Sequence, residues 1–166
     1  MAIHLEKLAM KHAEELFAFE KQNRIYFEQT CLPRPAVYFE KDSFLTILNT
    51  LIQEEETMFV IYMDEQLVGR INITDVQQTE NEKMGSVGYR IGKEYTGRGV
   101  ASRALYLMKK IAKEQHFTFL EAGTAIDNYG SQIVLLKNQF QFKEKCIDPS
   151  RQFSPSDTYV HFESLL

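Results

Sequence analysis

Between residues 57 and 115 the hydrophobic period changes from two to 3.6, and a pair of glycines marks the change. Residues 57–63, TMFVIYM, are a continuous apolar run, the pattern of a buried strand. After the turn residues DEQ, the segment LVGRINITDV (67–76) alternates. Leu67, Gly69, Ile71 and Ile73 fall on one face, and Arg70, Asn72 and Thr74 on the other. So short a turn makes the two strands an antiparallel hairpin. MGSVGYRIG (84–92) alternates again through Val87, Tyr89 and Ile91. Residues 99–115 then carry Val100, Ala104, Leu105, Met108, Ile111 and Ala112 on one helical face, and Lys109, Lys110, Lys113 and Glu114 on the other. FTFLEAGTAI (117–126) returns to strand. A strand, a long helix and a second strand are the parts of a parallel crossover, which cannot be closed by a hairpin turn.

The rest of the chain adds elements around this centre. Residues 2–6 predict a short strand, and 10–23 a helix with Ala13, Leu16, Phe17 and Phe19 at near-helical spacing. The prolines of CLPRPAVYFE (31–40) predict an irregular or extended stretch. Phe44, Ile47, Leu48, Leu51 and Ile52 form the stripe of a helix over 42–56, with the acidic run at its end in solvent. SQIVLLKNQF (131–140) predicts a helix with Ile133, Val134, Leu136 and Phe140 inward, and residues 142–147 and 158–166 predict two last strands. The order β-α-α-β-β-β-α-β-α-β-β defines a mixed α+β class: hairpins first, then one parallel crossover.

Nineteen basic residues against 23 acidic ones give a net charge of −4, which argues against a broad surface for nucleic acid or anionic membrane. The 166 residues are expected to form a single domain. Cys31 and Cys146 are expected to be reduced thiols, since two lone cysteines make no disulfide framework. His4, His12, His116 and His161 show no metal-ligand spacing, so no metal is expected. MAIHLEKLAM lacks the basic and apolar regions of a signal peptide, and no apolar run is long enough for a membrane span. The expected location is therefore the cytoplasm.

The glycines carry the chemistry. Gly97 and Gly99 lie between a strand and a helix N-terminus, where first-turn N–H groups lack intrahelical partners and the helix dipole is positive. Bare backbone there lets an anion approach, and Arg98 adds a positive charge. No GxxxxGK[ST] string is present, so the loop is not a Walker A motif. A dinucleotide fingerprint is an alternative: Gly97 and Gly99 supply its GxG, and Glu121 lies near its acidic position. Against it, Ser102 replaces the third glycine, five residues separate Ile91 from Gly97, and the preceding strands form a hairpin.

The segment resembles the pyrophosphate loop of the GNAT N-acetyltransferases, [QR]xxGx[GA], which reads TGRGVA over 96–101; Gly99 and Ala101 match and Thr96 departs. VGYRIGKEYTGRGVASRAL is similar to the family's fourth strand, loop and third helix. LEAGTAIDNYGSQIVLLKNQF is similar to its fifth strand and fourth helix. ELFAFEKQNRIYFEQTCLPRP and LVGRINI resemble the RimJ/RimL-type branch, which acetylates protein N-termini. The resemblance implies a mostly antiparallel sheet with one parallel, splayed pair of strands and about four helices. It implies acetyl-CoA as cosubstrate and a primary amine as acceptor, either a protein N-terminus or a small molecule. Backbone N–H groups from Arg98 through Val100 and Ala101 to Ser102 would hold the pyrophosphate, the Tyr89–Arg90–Ile91 strand would pair with pantetheine, and Asn128 would hydrogen-bond it.

For the reaction, relatives use a tyrosine that is Leu135 here, so Ser131 becomes the candidate donor to the leaving thiolate. Glu121 is the candidate base, acting through a water, with Tyr89, Tyr129 and Glu28 as further candidates for lining the amine site. The missing tyrosine keeps a second reading open, a non-catalytic acyl-CoA-binding module. The family's Leu-Gly-Phe after the fourth helix is Asn138-Gln139-Phe140, which predicts an altered helix end, or Phe142 in place of Phe140 in the core. Acceptor specificity is expected in residues 24–42, 76–83 and 148–157, and the sequence does not choose between monomer and homodimer.

Overall fold

The alternating segments pair as their short turns dictate, and the long helix supplies the crossover. The computed structural model describes residues 1–54, 57–148 and 157–166. Its strands are β1 (Ile3–Lys7), β2 (Met58–Met63), β3 (Gln66–Gln78), β4 (Lys83–Ile91), β5 (Phe119–Ala125), β6 (Gln141–Ile147) and β7 (Thr158–Leu165). They form one sheet in the order β1-β2-β3-β4-β5-β7-β6. Neighbours are antiparallel except β4 and β5, which run parallel around the crossover helix. This is the mixed, mostly antiparallel sheet that the resemblance implies.

Among the described residues, five α-helices cover the sheet: α1 (Ala13–Gln22), α2 (Arg24–Thr30), α3 (Lys41–Glu54), α4 (Val100–Glu114) and α5 (Tyr129–Lys137). α4 and α5 share one core with Phe59, Ile61, Val68, Ile71, Ile73 and Val87. α1, α2 and α3 share a second core with Met58, Val60 and Leu67 on the other face. The apolar run of β2 is thus divided between two cores, which is why it shows no alternation. Each large side chain buried this way stabilises the fold by about 1.5–3 kcal/mol relative to exposure. No helix among the described residues is long and apolar enough to cross a membrane.

Several expectations are corrected. The fifth helix, α2, is not predicted, because its apolar residues Ile25, Tyr26 and Phe27 are consecutive and only Phe27 is buried. The segment expected to be irregular or extended is irregular through Pro35 and then makes a 3-10 turn, Ala36–Phe39. The helix expected over 42–56 is described to Glu54, and residues 55–56 lie outside the described residues. In the β2–β3 hairpin, Tyr62 faces Leu67 while Ile61 faces Gly69, leaving Val68 as a bulge residue. The bulge turns Leu67 away from Ile71 and Ile73, toward α1–α3 and the face that carries Arg70. On that face Arg70 is only 6% exposed, while Asn72 and Thr74 are half-buried. On α4, Lys109 does not face solvent: its Nζ donates to the Asn138 carbonyl at 2.7 Å and to Ser164 Oγ at 2.9 Å. On α5 the buried residue is Leu135, while Ile133 and Leu136 are exposed.

The replaced glycine changes the helix end less than its chemistry suggests. Gln139 adopts φ 65°, the left-handed conformation glycine would take. The N–H of Phe140 donates to the Leu135 carbonyl and that of Gln139 to the Leu136 carbonyl, both at 3.0 Å. These are the two bonds of a Schellman cap. The cap delivers Phe140 to the core, and Phe142 is exposed. His116, at φ 65°, ends α4 in the same way.

Candidate active site

The loop before α4 is built to leave N–H groups bare. Gly97 and Gly99 have φ of 73° and 77°, a region that penalises any Cβ by about 1–2 kcal/mol. Open space lies where a Cβ would stand on either one. Gly99 is the N-cap of α4, and no side chain caps this end of the helix. The first-turn N–H groups are therefore left to an external acceptor. Asn23, between α1 and α2, fixes the approach to the loop: its Oδ1 accepts from the Lys93 N–H at 2.9 Å. The Arg98 guanidinium lies over the Tyr95 ring, 5.7 Å from its centroid.

β4 and β5 pair at only three positions, Met84–Phe119, Gly85–Leu120 and Ser86–Glu121. Beyond them the strands part. β4 stays paired to β3 as far as Ile91, and β5 stays paired to β7 as far as Ala125. The gap leaves one edge of β4 open over Val87–Ile91, with backbone groups available to a strand-like ligand.

Two cavities meet at this gap. The larger, about 570 Å³, runs from Gly97 and Gly99–Ser102 along Tyr89, Arg90 and Ile91 to Asn128 and Ser131. The smaller, about 420 Å³, is lined by Arg34, by Arg70 and Asn72 of β3, by Gly88 of β4 and by Ala122–Ala125 of β5. Thr30, Cys31, Tyr89, Arg90, Ala125, Asn128 and Ser131 line both. Of the expected cofactor residues, all but Arg98 line the larger cavity. The cradle and the open strand edge, joined by one cavity, suit the pyrophosphate and pantetheine of coenzyme A.

At the junction the Tyr89 hydroxyl is 2.9 Å from Ser131 Oγ. Burial pushes the Tyr89 phenol up to about 12, against the opposing effect of the Ser131 hydrogen bond. Asn128 caps α5, its Oδ1 accepting from the Ser131 N–H at 3.1 Å. One side chain thus sets the first turn of α5 and, through it, the Ser131 hydroxyl.

Glu121 is not brought to this junction. It stands on the last rung before the gap and lines neither cavity. Its Oε2 lies 3.8 Å from His161 Nε2, which also meets Glu163 Oε1 at 3.2 Å. Tyr129 and Glu28 also stand apart from both cavities: Tyr129 is exposed, and Glu28 accepts from Arg24.

The sequence reading missed the wall of the smaller cavity. Glu20 is fully buried; its Oε1 accepts from Arg70 Nη1 at 3.3 Å and from the Tyr38 hydroxyl at 3.4 Å. Its Oε2 lies 3.6 Å from Arg90 Nη1. Arg90 Nη2 donates to the Leu32 carbonyl at 2.6 Å, fastening the segment that carries Cys31 and Arg34. A signal for Glu20 was present, because it follows Ala13 and Leu16 on the inward stripe of α1. So was one for Arg34, a charged residue held between two prolines.

Comparison with known proteins agrees with this geometry. The acetyltransferase (GNAT) domain family matches residues 3–141. A Bacillus subtilis (strain 168) protein named probable N-acetyltransferase YjcK is 27% identical over 145 residues, covering 83% of this chain and 80% of that one. The ribosomal-protein-S5-alanine acetyltransferase of Vibrio fischeri superposes with a TM-score of 0.89 at 16% identity, over 99% of this chain and 93% of its own. Mycobacterium smegmatis RimJ, solved in complex with CoA-disulfide, superposes with a TM-score of 0.83 at 20% identity, over 98% and 81%. The mostly antiparallel sheet also removes the dinucleotide reading, which requires a doubly wound parallel one. With a matched family domain over most of its length, a bare-backbone cradle and a splayed strand pair, the chain belongs to the GNAT family of acetyltransferases.

Proposed function

We propose that this GNAT acetyltransferase binds acetyl-CoA in the larger cavity and transfers the acetyl group to an α-amino group that enters through the smaller one. The observation that carries the reading is the junction: two cavities of different character share Tyr89, Asn128 and Ser131, with Thr30, Cys31, Arg90 and Ala125 around them. The first-turn N–H groups of α4 hold the pyrophosphate, and the open edge of β4 holds the pantetheine arm. The amine nitrogen attacks the thioester carbonyl carbon, and the C–S bond breaks as the tetrahedral adduct collapses. A backbone N–H on the open edge of β4 stabilises the oxyanion. The leaving thiolate takes a proton from the Tyr89–Ser131 hydroxyl pair, and the ammonium formed on the acceptor releases its proton to water, which restores the pair.

The α-amino preference rests on the make-up of the smaller cavity. Among the described residues, no carboxylate lines it. An α-amino group, with a pKa of about 7.7–8.0, is substantially neutral near pH 8 without a strong base, whereas a lysine amine near 10.4 is not. Peptide N-termini and small α-amines both satisfy this, and the RimJ/RimL-type neighbours favour the peptide. The Tyr89 hydroxyl also answers the non-catalytic alternative, since it brings a phenol to the junction from β4 where Leu135 supplies none from α5. Thiol release from acetyl-CoA with an Ala-initiated peptide, set against the same peptide N-terminally blocked and carrying a free lysine, tests the proposal. Release with the first and not the second is expected, and release with the lysine alone would overturn it.

A further inference from the structure

We infer that the smaller cavity takes an acceptor with an anionic group, a carboxylate or phosphate, close to its amine, and that Arg34 is the residue that receives it. The inference rests on the smaller cavity being the acceptor's side. Three guanidiniums, those of Arg34, Arg70 and Arg90, line that cavity. Among the described residues, the one carboxylate paired with them is Glu20, which already serves Arg70 and Arg90. The wall therefore carries a surplus of two positive charges, inside a chain whose own net charge is −4.

Arg34 is the member left over. Among the described residues it forms no ion pair, and its Nε is closed to solvent without a hydrogen-bond partner. Its guanidinium stacks over the Tyr38 ring, 5.1 Å from the centroid, which orients the planar fork. Burial first, and then the charges of Arg90 and Arg70, work against its charged form. A half-buried cation without a counter-ion is disfavoured, and an anionic ligand removes that penalty. A planar guanidinium matches carboxylate and phosphate oxygens two at a time.

The phosphates of coenzyme A do not answer this charge. Their cradle is at Gly97–Ser102 in the larger cavity, and Arg34 and Arg70 line only the smaller one. Both cavities reach Tyr89 and Ser131, so an acceptor amine at the junction places a neighbouring anionic group in the smaller cavity. A free α-amino acid offers such a group, and so does a peptide whose second residue is acidic.

Calorimetric binding to the full chain with coenzyme A present tests this with two matched pairs of product-like probes. One pair is N-acetyl-alanine and its uncharged amide; the other is N-acetyl-Ala-Glu-amide and N-acetyl-Ala-Gln-amide. At least tenfold tighter binding of the charged member is expected, and the pair in which it appears identifies the free carboxylate or the acidic peptide as the source. Arg34→Gln should bring that ratio close to one, Arg34→Lys should restore part of it, and the exposed control Lys145→Gln should leave it intact. Equal binding of charged and neutral members by the wild-type protein, in both pairs, would overturn the inference whatever the variants do. Thiol release from acetyl-CoA is read in parallel with the unacetylated forms. Turnover without charge preference sinks the anion site alone, whereas charge-selective binding without turnover sinks the acetyl-transfer reading alone.

Discussion

The Tyr89 hydroxyl on β4 stands 2.9 Å from Ser131 Oγ in the first turn of α5, bridging the two sides of the splayed gap. With the phenol at about 12, both hydroxyls are protonated throughout the neutral range and can give a proton to a thiolate. Tyr89→Phe should lower kcat by about 10²-fold, the low end for loss of a general acid, while KM for acetyl-CoA changes little. Ser131→Ala in the same background should cost much less than it does alone, because the two act as one unit. The alkaline side of the pH profile provides a second check. Activity should rise through the pKa of the acceptor amine and show no fall before about pH 11, since a neutral Tyr89 persists until pH approaches 12. A descending limb between pH 8 and 10 would assign the proton to another group.

Gly99 has φ 77° and open space where a Cβ would point. Gly99→Val should therefore lower stability by about 1–2 kcal/mol through backbone strain, yet leave the fold in place. The larger effect should be on coenzyme A, whose pyrophosphate needs the bare N–H groups: affinity should drop at least 100-fold. Melting curves with saturating acetyl-CoA read both quantities, because the ligand-induced rise in Tm should vanish while the unliganded Tm falls by only a few degrees. A preserved ligand shift would remove the cradle from the binding site.

Gly88 separates the two cavities experimentally. It lines the smaller cavity and not the larger one, and a Cβ built on it meets nothing within 4 Å. Gly88→Leu should place a side chain in the acceptor's space, raising KM for the amine at least tenfold. The dissociation constant of acetyl-CoA should stay within about threefold of the wild-type value. If acetyl-CoA binding were lost and amine KM unchanged, the two cavities would have exchanged roles.

How far these sites could be read from the sequence follows the range of the interactions. Strand alternation, the switch to helical period and the glycine pair are local signals, and the sheet, the crossover and the phosphate cradle follow from them. Asn128 and Ser131 are reached through the family resemblance, and the bond that joins them spans only three residues. The hydrogen bond from Tyr89 to Ser131 spans 42 positions and has no local mark. Nor has the bulge at Val68, which reverses Leu67 without altering the alternation that precedes or follows it. The arginine wall joins α1, the proline-bounded segment, β3 and β4, elements that only the folded sheet brings together. Of the segments expected to shape specificity, residues 149–156 lie outside the described residues.

Glu20 holds that wall together. Among the described residues it is the one carboxylate paired with Arg70 and Arg90, and it is fully buried. Glu20→Gln keeps the volume and one acceptor oxygen but removes the counter-charge, leaving the guanidiniums to repel one another in a poorly screened site. Breaking a buried pair in this way costs about 3–5 kcal/mol. Urea unfolding should show a lower midpoint with an unchanged slope. A loss below about 1 kcal/mol would mean that water reaches Glu20 and shields the cluster.

Gln139 offers a change in the opposite direction. Its φ of 65° gives the Schellman cap of α5 at the expense of Cβ strain, and the cap delivers Phe140 to a site where it is 2% exposed. Gln139→Gly relieves the strain but makes the unfolded chain more flexible, and the two effects oppose each other. In a left-handed position the relief is larger, because the native φ is one that glycine visits freely. Stability should rise by about 0.5–1 kcal/mol, a Tm gain of roughly 1–4 °C for a chain of this size. His116→Gly, at the matching cap of α4, should do the same, and the two gains should add because the caps end different helices. Loss of stability in Gln139→Gly would show that the glutamine side chain contributes more through its contacts than its backbone costs, and would place the compensation for the missing glycine in that side chain.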